Sequence, residues 1–191
     1  MQYAREKGIA IHERKSRFST DENLWGRSIE AGELEDPWLE PPEDAFEWTN
    51  SVSNAPIDPV YIEISFDQGS PVAFNGEGMK PVDLVEHLNG LAGQHGIGRI
   101  DHIENRLVGI KSREVYEAPA ALTLFTAHKA LEAMTLSKEQ LRMKHHVAQE
   151  YADMVYNGLW FTSHRNDLDA YTASTQRYVT GTVRLKLHKG T

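Results

Sequence analysis

Val60–Gly93, VYIEISFDQGSPVAFNGEGMKPVDLVEHLNGLAG, decides the fold class. Ile62, Ile64 and Phe66 alternate with Tyr61, Glu63 and Ser65, a period of two with one apolar face, which reads as a strand. Asp67-Gln68-Gly69 supplies a turn, Pro71 to Phe74 returns, and Asn75-Gly76 marks a further turn. Pro81 suits the N1 position of a helix, where a backbone N–H would have no partner anyway. Leu84, Val85, Leu88, Leu91 and Ala92 then hold the i, i+4, i+7 spacing up to Gly93. A hairpin followed by such a stripe predicts an amphipathic helix laid on a sheet.

The next stretch, Gly96–Pro119, GIGRIDHIENRLVGIKSREVYEAP, crowds charge among aliphatic side chains. Glu104 falls in an expected strand, Lys111-Ser112-Arg113 reads as an exposed basic turn, and Tyr116 and Glu117 precede Pro119 at a helix start. A solvated edge strand and turn explains this pattern as well as a binding site does.

Toward the carboxyl end, Ala118–Met134 predicts a helix with Leu122, Phe125, Ala130 and Leu131 among its apolar positions. Ser137 with Gln140 forms a capping box for a helix running to about Tyr156. Its expected buried set is Leu141, Ala148, Tyr151, Ala152 and Val155. Trp160 and Phe161 read as core anchors, and Ser163 as the cap of a helix carrying Leu168, Tyr171 and Tyr178. Val183, Leu185 and Leu187 alternate with Arg184, Lys186 and His188 as a strand, and Gly190 opens a turn. Strands, a helix, a strand, helices and a strand predict an α+β domain with a mixed or antiparallel sheet.

Toward the amino end the chain is less regular. Five of the eight prolines lie between Pro37 and Pro59, which excludes long regular elements there. Trp25, Trp38 and Trp48 argue against disorder and predict an ordered segment pinned to a neighbouring surface. Ser19 and Ser28 stand either side of an acidic turn, and Ser19-Thr20-Asp21-Glu22 reads equally as the cap of a short helix. Residues 1–8 read as final helical turns stopped by Gly8, and Ile9 and Ile11 as a short strand. A chain that opens on the end of a helix and closes on a half-made hairpin is expected to be cut from something longer.

Composition narrows the class. A chain of 191 residues can bury roughly 70% of its unfolded surface without a metal or disulfide. Cysteine is absent, so disulfides and thiolate zinc sites are excluded. No apolar run approaches the ~20 residues of a membrane-spanning helix. The net charge of −8 argues against a broad nucleic-acid-binding face; residues 21–47 carry ten acids against the single base Arg27. His145 and His146 are adjacent, so on a helix they point about 100° apart and do not share an ion, and no metal site is expected. The run Gly93 to Gly98 resembles a phosphate loop only loosely and follows a helix rather than a strand.

Four long motifs add to this reading: GIGRIDHIENRLVGIKSREVYEAPAA, SRFSTDENLWGRSIEAGELEDPW, YNGLWF and VTGTVRLKLHKG. Together they strongly resemble argininosuccinate synthase. The resemblance covers essentially the whole chain and places residues 16–191 in the family's synthetase domain. Residues 1–15 then become the remnant of its nucleotide-binding domain. It implies a cytoplasmic ligase of arginine biosynthesis. Such an enzyme condenses citrulline and aspartate, uses ATP with Mg, and assembles as a homo-oligomer, a tetramer in the family. It implies that Ser19, Ser28, Glu104 and Tyr116 bind citrulline, with Glu104 and Tyr116 as one wall and both serines facing them across the fold. No catalytic residue, cofactor or metal ligand is carried over onto this segment, because the ATP and aspartate sites belong to the family's other half; no membrane or nucleic-acid partner is implied. The sequence departs from the family pattern at His102, Thr20, Gln94 and His12, none of them a carried-over ligand. A stand-alone citrulline-binding or oligomerisation module without catalysis is the alternative.

Overall fold

The computed structural model describes residues 3, 6–8 and 17–191. The expected strand at Ile9 and Ile11 lies outside them, as does much of the expected first helix, although Gly8 has the left-handed φ of 66° that a helix stop requires.

Among the described residues, eight strands form two antiparallel sheets. β1 (Ser19–Asn23), β2 (Gly26–Glu30), β6 (Arg99–Asn105) and β7 (Lys111–Glu117) make the first, in the order β1-β2-β7-β6. β3 (Val60–Asp67), β4 (Ser70–Phe74), β5 (Glu77–Gly78) and β8 (Gly181–Leu187) make the second, in the order β5-β4-β3-β8. Among residues 17–191 the α-helices are α1 (Pro81–Gln94), α2 (Pro119–Thr135), α3 (Lys138–Tyr156) and α4 (Ser163–Gln176). The domain is α+β, as the element order implies, and its sheets are purely antiparallel.

The second sheet follows the alternation in its sequence. Ile62, Ile64 and Phe66 face a core completed by Leu84, Val85, Leu88 and Ala92 of α1 and by Ala120, Leu124, Ala127 and Leu131 of α2. Gln68-Gly69 and Asn75-Gly76 both have positive φ at both positions, the tight turn whose twist matches paired strands. The capping box at Ser137 and Gln140 is formed.

The first sheet was largely hidden, although the expected strand at Glu104 is formed as β6. Ser19–Asn23, read as an acidic turn or helix cap, is a strand paired with Gly26–Glu30. Lys111-Ser112-Arg113, read as a turn, opens β7; the reversal lies at Arg106–Ile110, where Arg106 accepts from the Gly109 N–H at 2.9 Å. Strands whose charged residues lie on both faces carry no clean apolar alternation, so periodicity missed them.

Several expected core positions are corrected. Trp38 is 93% exposed and pins nothing, and Phe161 is 97% exposed. α3 buries Val147 and Met154 rather than Ala148, Ala152 and Val155, because it packs mainly on α4 through Leu168. α2 turns Phe125 and Ala130 outward. Thr162, not Ser163, precedes α4, and no side chain caps it.

One buried carboxylate joins the halves. Glu117 is 0% exposed and accepts from Arg27 Nη1 at 2.9 Å, from the backbone N–H groups of Glu47, Trp48 and Thr49, and from Thr49 Oγ1 at 2.7 Å. Arg27 also donates to the Ala45 carbonyl and to Glu47. Arg99 clasps Glu43 through two bonds, reaches Thr49 and lies 3.7 Å over Phe46. Arg113 clasps Asp101 and holds the Asp36 and Leu39 carbonyls. Segment 31–50 is thereby stapled over one face of the first sheet, around Ile29, Leu34, Ala45 and Val115. Truncating Glu117 strands a buried guanidinium and three backbone donors. Glu117→Ala is therefore expected to cost about 3–5 kcal/mol in urea unfolding, and a loss under about 1 kcal/mol would refute the buried-staple account.

Candidate functional site

Pleat and register sort the first sheet into two faces. Ser28 pairs with Tyr116 and Asp21 with Ser28; Ile100 pairs with Tyr116, His102 with Glu114 and Glu104 with Ser112. Ser19 pairs with Glu30, two residues beyond Ser28. Ser19, Ser28, Glu104 and Tyr116 therefore all lie on one face, the one opposite the stapled segment. They are neighbours on a single sheet, not two walls facing across the fold. Ser28 and Tyr116 are adjacent; Glu104 lies four residues beyond the Ile100 that pairs with Tyr116, roughly 13 Å along the strand.

A cavity of about 540 Å³ opens on this face and is lined by Asp21, Ser28, Ile100, Tyr116, Leu122 and Phe125, among others. Ser19 and Glu104 do not line it. Phe125, missing from the core, meets Trp25 edge-on at 6.1 Å beside this cavity.

The remaining polar groups form a network that residue-by-residue reading missed. Arg106 donates to Glu30 at 2.7 Å, to Ser112 Oγ at 2.8 Å and to the buried Glu114. Burial pushes the Glu114 carboxyl up, Arg106 pulls it down, and the Glu30 carboxylate raises it further. Hydrogen bonding to Glu114 raises Arg106 in turn. The Tyr116 hydroxyl is raised by burial first, then by the charges of Glu104 and Glu114, so it stays a neutral donor. The hydroxyl of Tyr156, the last residue of α3, is raised chiefly by the Glu104 carboxylate. The signal was present in KSREVYE: read as a strand, it puts Ser112, Glu114 and Tyr116 on one face.

The glycine run is packing rather than a phosphate cradle. A Cβ on Gly93 would sit 2.2 Å from the Trp48 carbonyl oxygen, and one on Gly98 2.7 Å from Pro119. Among the described residues no cluster of three His, Asp or Glu side chains is arranged to hold a metal ion, and no helix is long and apolar enough to cross a membrane.

Residues 18–191 match the profile described as the arginosuccinate synthase C-terminal domain. The chain belongs to the argininosuccinate synthase family. It is 60% identical over 191 residues to an argininosuccinate synthase of Dehalococcoides mccartyi, covering 100% of this chain and 47% of that protein. Those of Symbiobacterium thermophilum and Methanopyrus kandleri are 57% and 56% identical over 189 residues, 98% of this chain and 47% and 48% of theirs. The chain thus spans about half the length of the curated relatives it matches.

Within this argininosuccinate synthase domain, Glu114 gives the polar face a measurable pH signature. Its native pKa is raised, so the folded chain holds that proton more tightly than the unfolded chain. Its contribution is then complete below the unfolded value and is lost as pH rises through the native one. Glu114→Gln stays neutral. The variant is expected to gain stability relative to the unsubstituted chain as pH rises from about 4 to 8, read as urea midpoints at stepped pH. A difference that is flat, or runs the other way, would mean that Arg106 outweighs burial.

Proposed function

We propose that this chain supplies part of the citrulline site of an enzyme that condenses citrulline with aspartate, in the biosynthesis of arginine. The observation that carries the reading is the shared face: the four residues marked by resemblance, far apart in sequence, lie on one polar sheet face, and two of them, Ser28 and Tyr116, line a cavity there. Family membership supports it.

A ureido carbon is a weak electrophile because its leaving group is poor. In the proposed reaction the ureido oxygen attacks the α-phosphorus of ATP and pyrophosphate leaves. The aspartate amine then attacks the ureido carbon, loses its proton, and AMP departs, giving argininosuccinate. Such a reaction depends mainly on holding its partners in line. Glu104 suits the citrulline ammonium, since a carboxylate accepts charge-assisted hydrogen bonds. The hydroxyls of Ser19, Ser28 and Tyr116 both donate and accept, and suit its remaining polar groups.

On this reading residues 16–191 are the synthetase domain and residues 1–15 the end of a preceding nucleotide-binding domain. ATP with Mg and aspartate are held as substrates by that other half, and the enzyme is cytoplasmic and tetrameric. The exposed Leu107 and Val108 at the β6–β7 tip, with Phe161 after α3, support further chain contacts.

Calorimetric titration of citrulline into the chain, with and without the ATP-binding half of a relative, tests the site. Glu104→Gln is expected to weaken binding about 10- to 150-fold, the worth of a hydrogen bond to a charged group. Pyrophosphate release is expected from the mixture of halves and not from this chain alone. Absence of heat in both settings would sink the proposal; binding with no turnover from the mixture would favour a non-catalytic module.

A further inference from the structure

The Tyr116 ring is held by its neighbour rather than by its hydroxyl. Tyr116 lines the cavity beside Ser28, yet its hydroxyl hydrogen-bonds to none of the described residues within 3.5 Å. A strand leaves two common χ1 wells open to such a side chain, so packing has to choose between them. His102 does so. It lies on the same face of β6, directly across from Glu114 and diagonal to Tyr116, a separation that long aromatic side chains bridge. The two rings are stacked, 11° from parallel with centroids 5.3 Å apart. His102 does not line the cavity; it backs the residue that does.

We infer that His102 is a positioning residue of the substrate site, fixing the Tyr116 ring so that its hydroxyl is presented to a bound amino-acid substrate without prior ordering. The inference rests on the citrulline reading of this face. The surroundings fit it. Glu114, directly across from His102, is committed to Arg106 and Ser112, so it does not draw the imidazole away from Tyr116. On the other side of β6, Asp101 is engaged by Arg113. The stack with Tyr116 is therefore the contact that the imidazole makes on this face. A tyrosine wall that is already in place loses less freedom on binding, which is how preorganisation strengthens affinity.

The test compares His102→Ala with His102→Phe, which removes the imidazole but keeps a stackable ring, in the same chain and with the ATP-binding half added. Tyr116 ring resonances, assigned by their loss in Tyr116→Phe, report the stack without any ligand, and citrulline titration reports the site. Expected are displaced Tyr116 ring signals and citrulline affinity weakened about 2- to 10-fold in His102→Ala, the usual worth of an aromatic pair. Both are expected to recover in His102→Phe, with cooperative urea unfolding retained in all three proteins. Affinity lost in Glu104→Gln but indifferent to His102→Ala would overturn this inference and leave the site reading standing. No citrulline-dependent change anywhere, with the ATP-binding half present, would overturn both.

Discussion

A carboxylate buried among backbone donors constrains this molecule more than any apolar contact does. Glu117 sits at the end of β7, paired through the register with Arg27 on one side and Arg99 on the other. An unpaired charge at that depth would cost several kcal/mol, on the order of the stability of a whole domain. The chain avoids this by drawing the Glu47–Thr49 backbone onto the carboxylate. Once those donors are committed, segment 31–50 has one place to go. Arg99 and Arg113 complete the attachment by gripping Glu43 and the Asp36 and Leu39 carbonyls. The prolines of that segment make sense in this light. They confine regular structure there to two short 3-10 turns, Gly32–Glu35 and Glu43–Ala45, so that carbonyls such as those of Asp36, Leu39 and Ala45 remain for the arginines of the sheet.

Covering one face of the sheet leaves the other free to be polar. β7 alternates strictly: Arg113, Val115 and Glu117 go to the stapled side, and Ser112, Glu114 and Tyr116 to the other. The same alternation in β2 sends Arg27 and Ile29 one way and Ser28 and Glu30 the other. One face therefore carries the structural ion pairs, and the opposite face presents hydroxyls and carboxylates around Arg106. A slip of one residue in either pairing would exchange the two sets and put Glu117 into solvent. The depth of Glu117 thus fixes which side chains reach the candidate site, although it touches none of them.

The second sheet and its helices were legible because each face has a single environment. Ile62, Ile64 and Phe66 point at helices and their neighbours at water, so hydrophobicity and period agree. The first sheet was not legible because its buried face is held by Arg27, Arg99, Arg113 and Glu117 as much as by Ile29 and Val115. Charge normally signals solvent, and here it signals a satisfied interior. Trp38 misled for the converse reason: it is large and apolar but fully available to another surface. The four candidate ligands came from resemblance alone, and no spacing rule would have joined Ser19 to Tyr116. Only the strand order, with β2 beside β7, puts residues nearly one hundred positions apart on one face.

Linkage between the two sheets decides how firmly that face is aimed. Asn89 of α1 donates to the Leu24 carbonyl at the β1–β2 turn, and its side-chain oxygen accepts from the Ala120 N–H at the start of α2. Ala118 donates to the Gly98 carbonyl at the root of β6. Gly98 has no room for a side chain against Pro119, so β6 and α2 meet in direct backbone contact. The ends of β1, β2, β6 and β7 are therefore tied to the two helices that share the main core with the second sheet. Any shift of α1 against α2 would have to break Asn89 from one partner or the other. A polar face on a hairpin alone would flex with its turns. This face is fixed at one end to a packed helical core and at its back to a buried carboxylate, which is what a site that works by positioning requires.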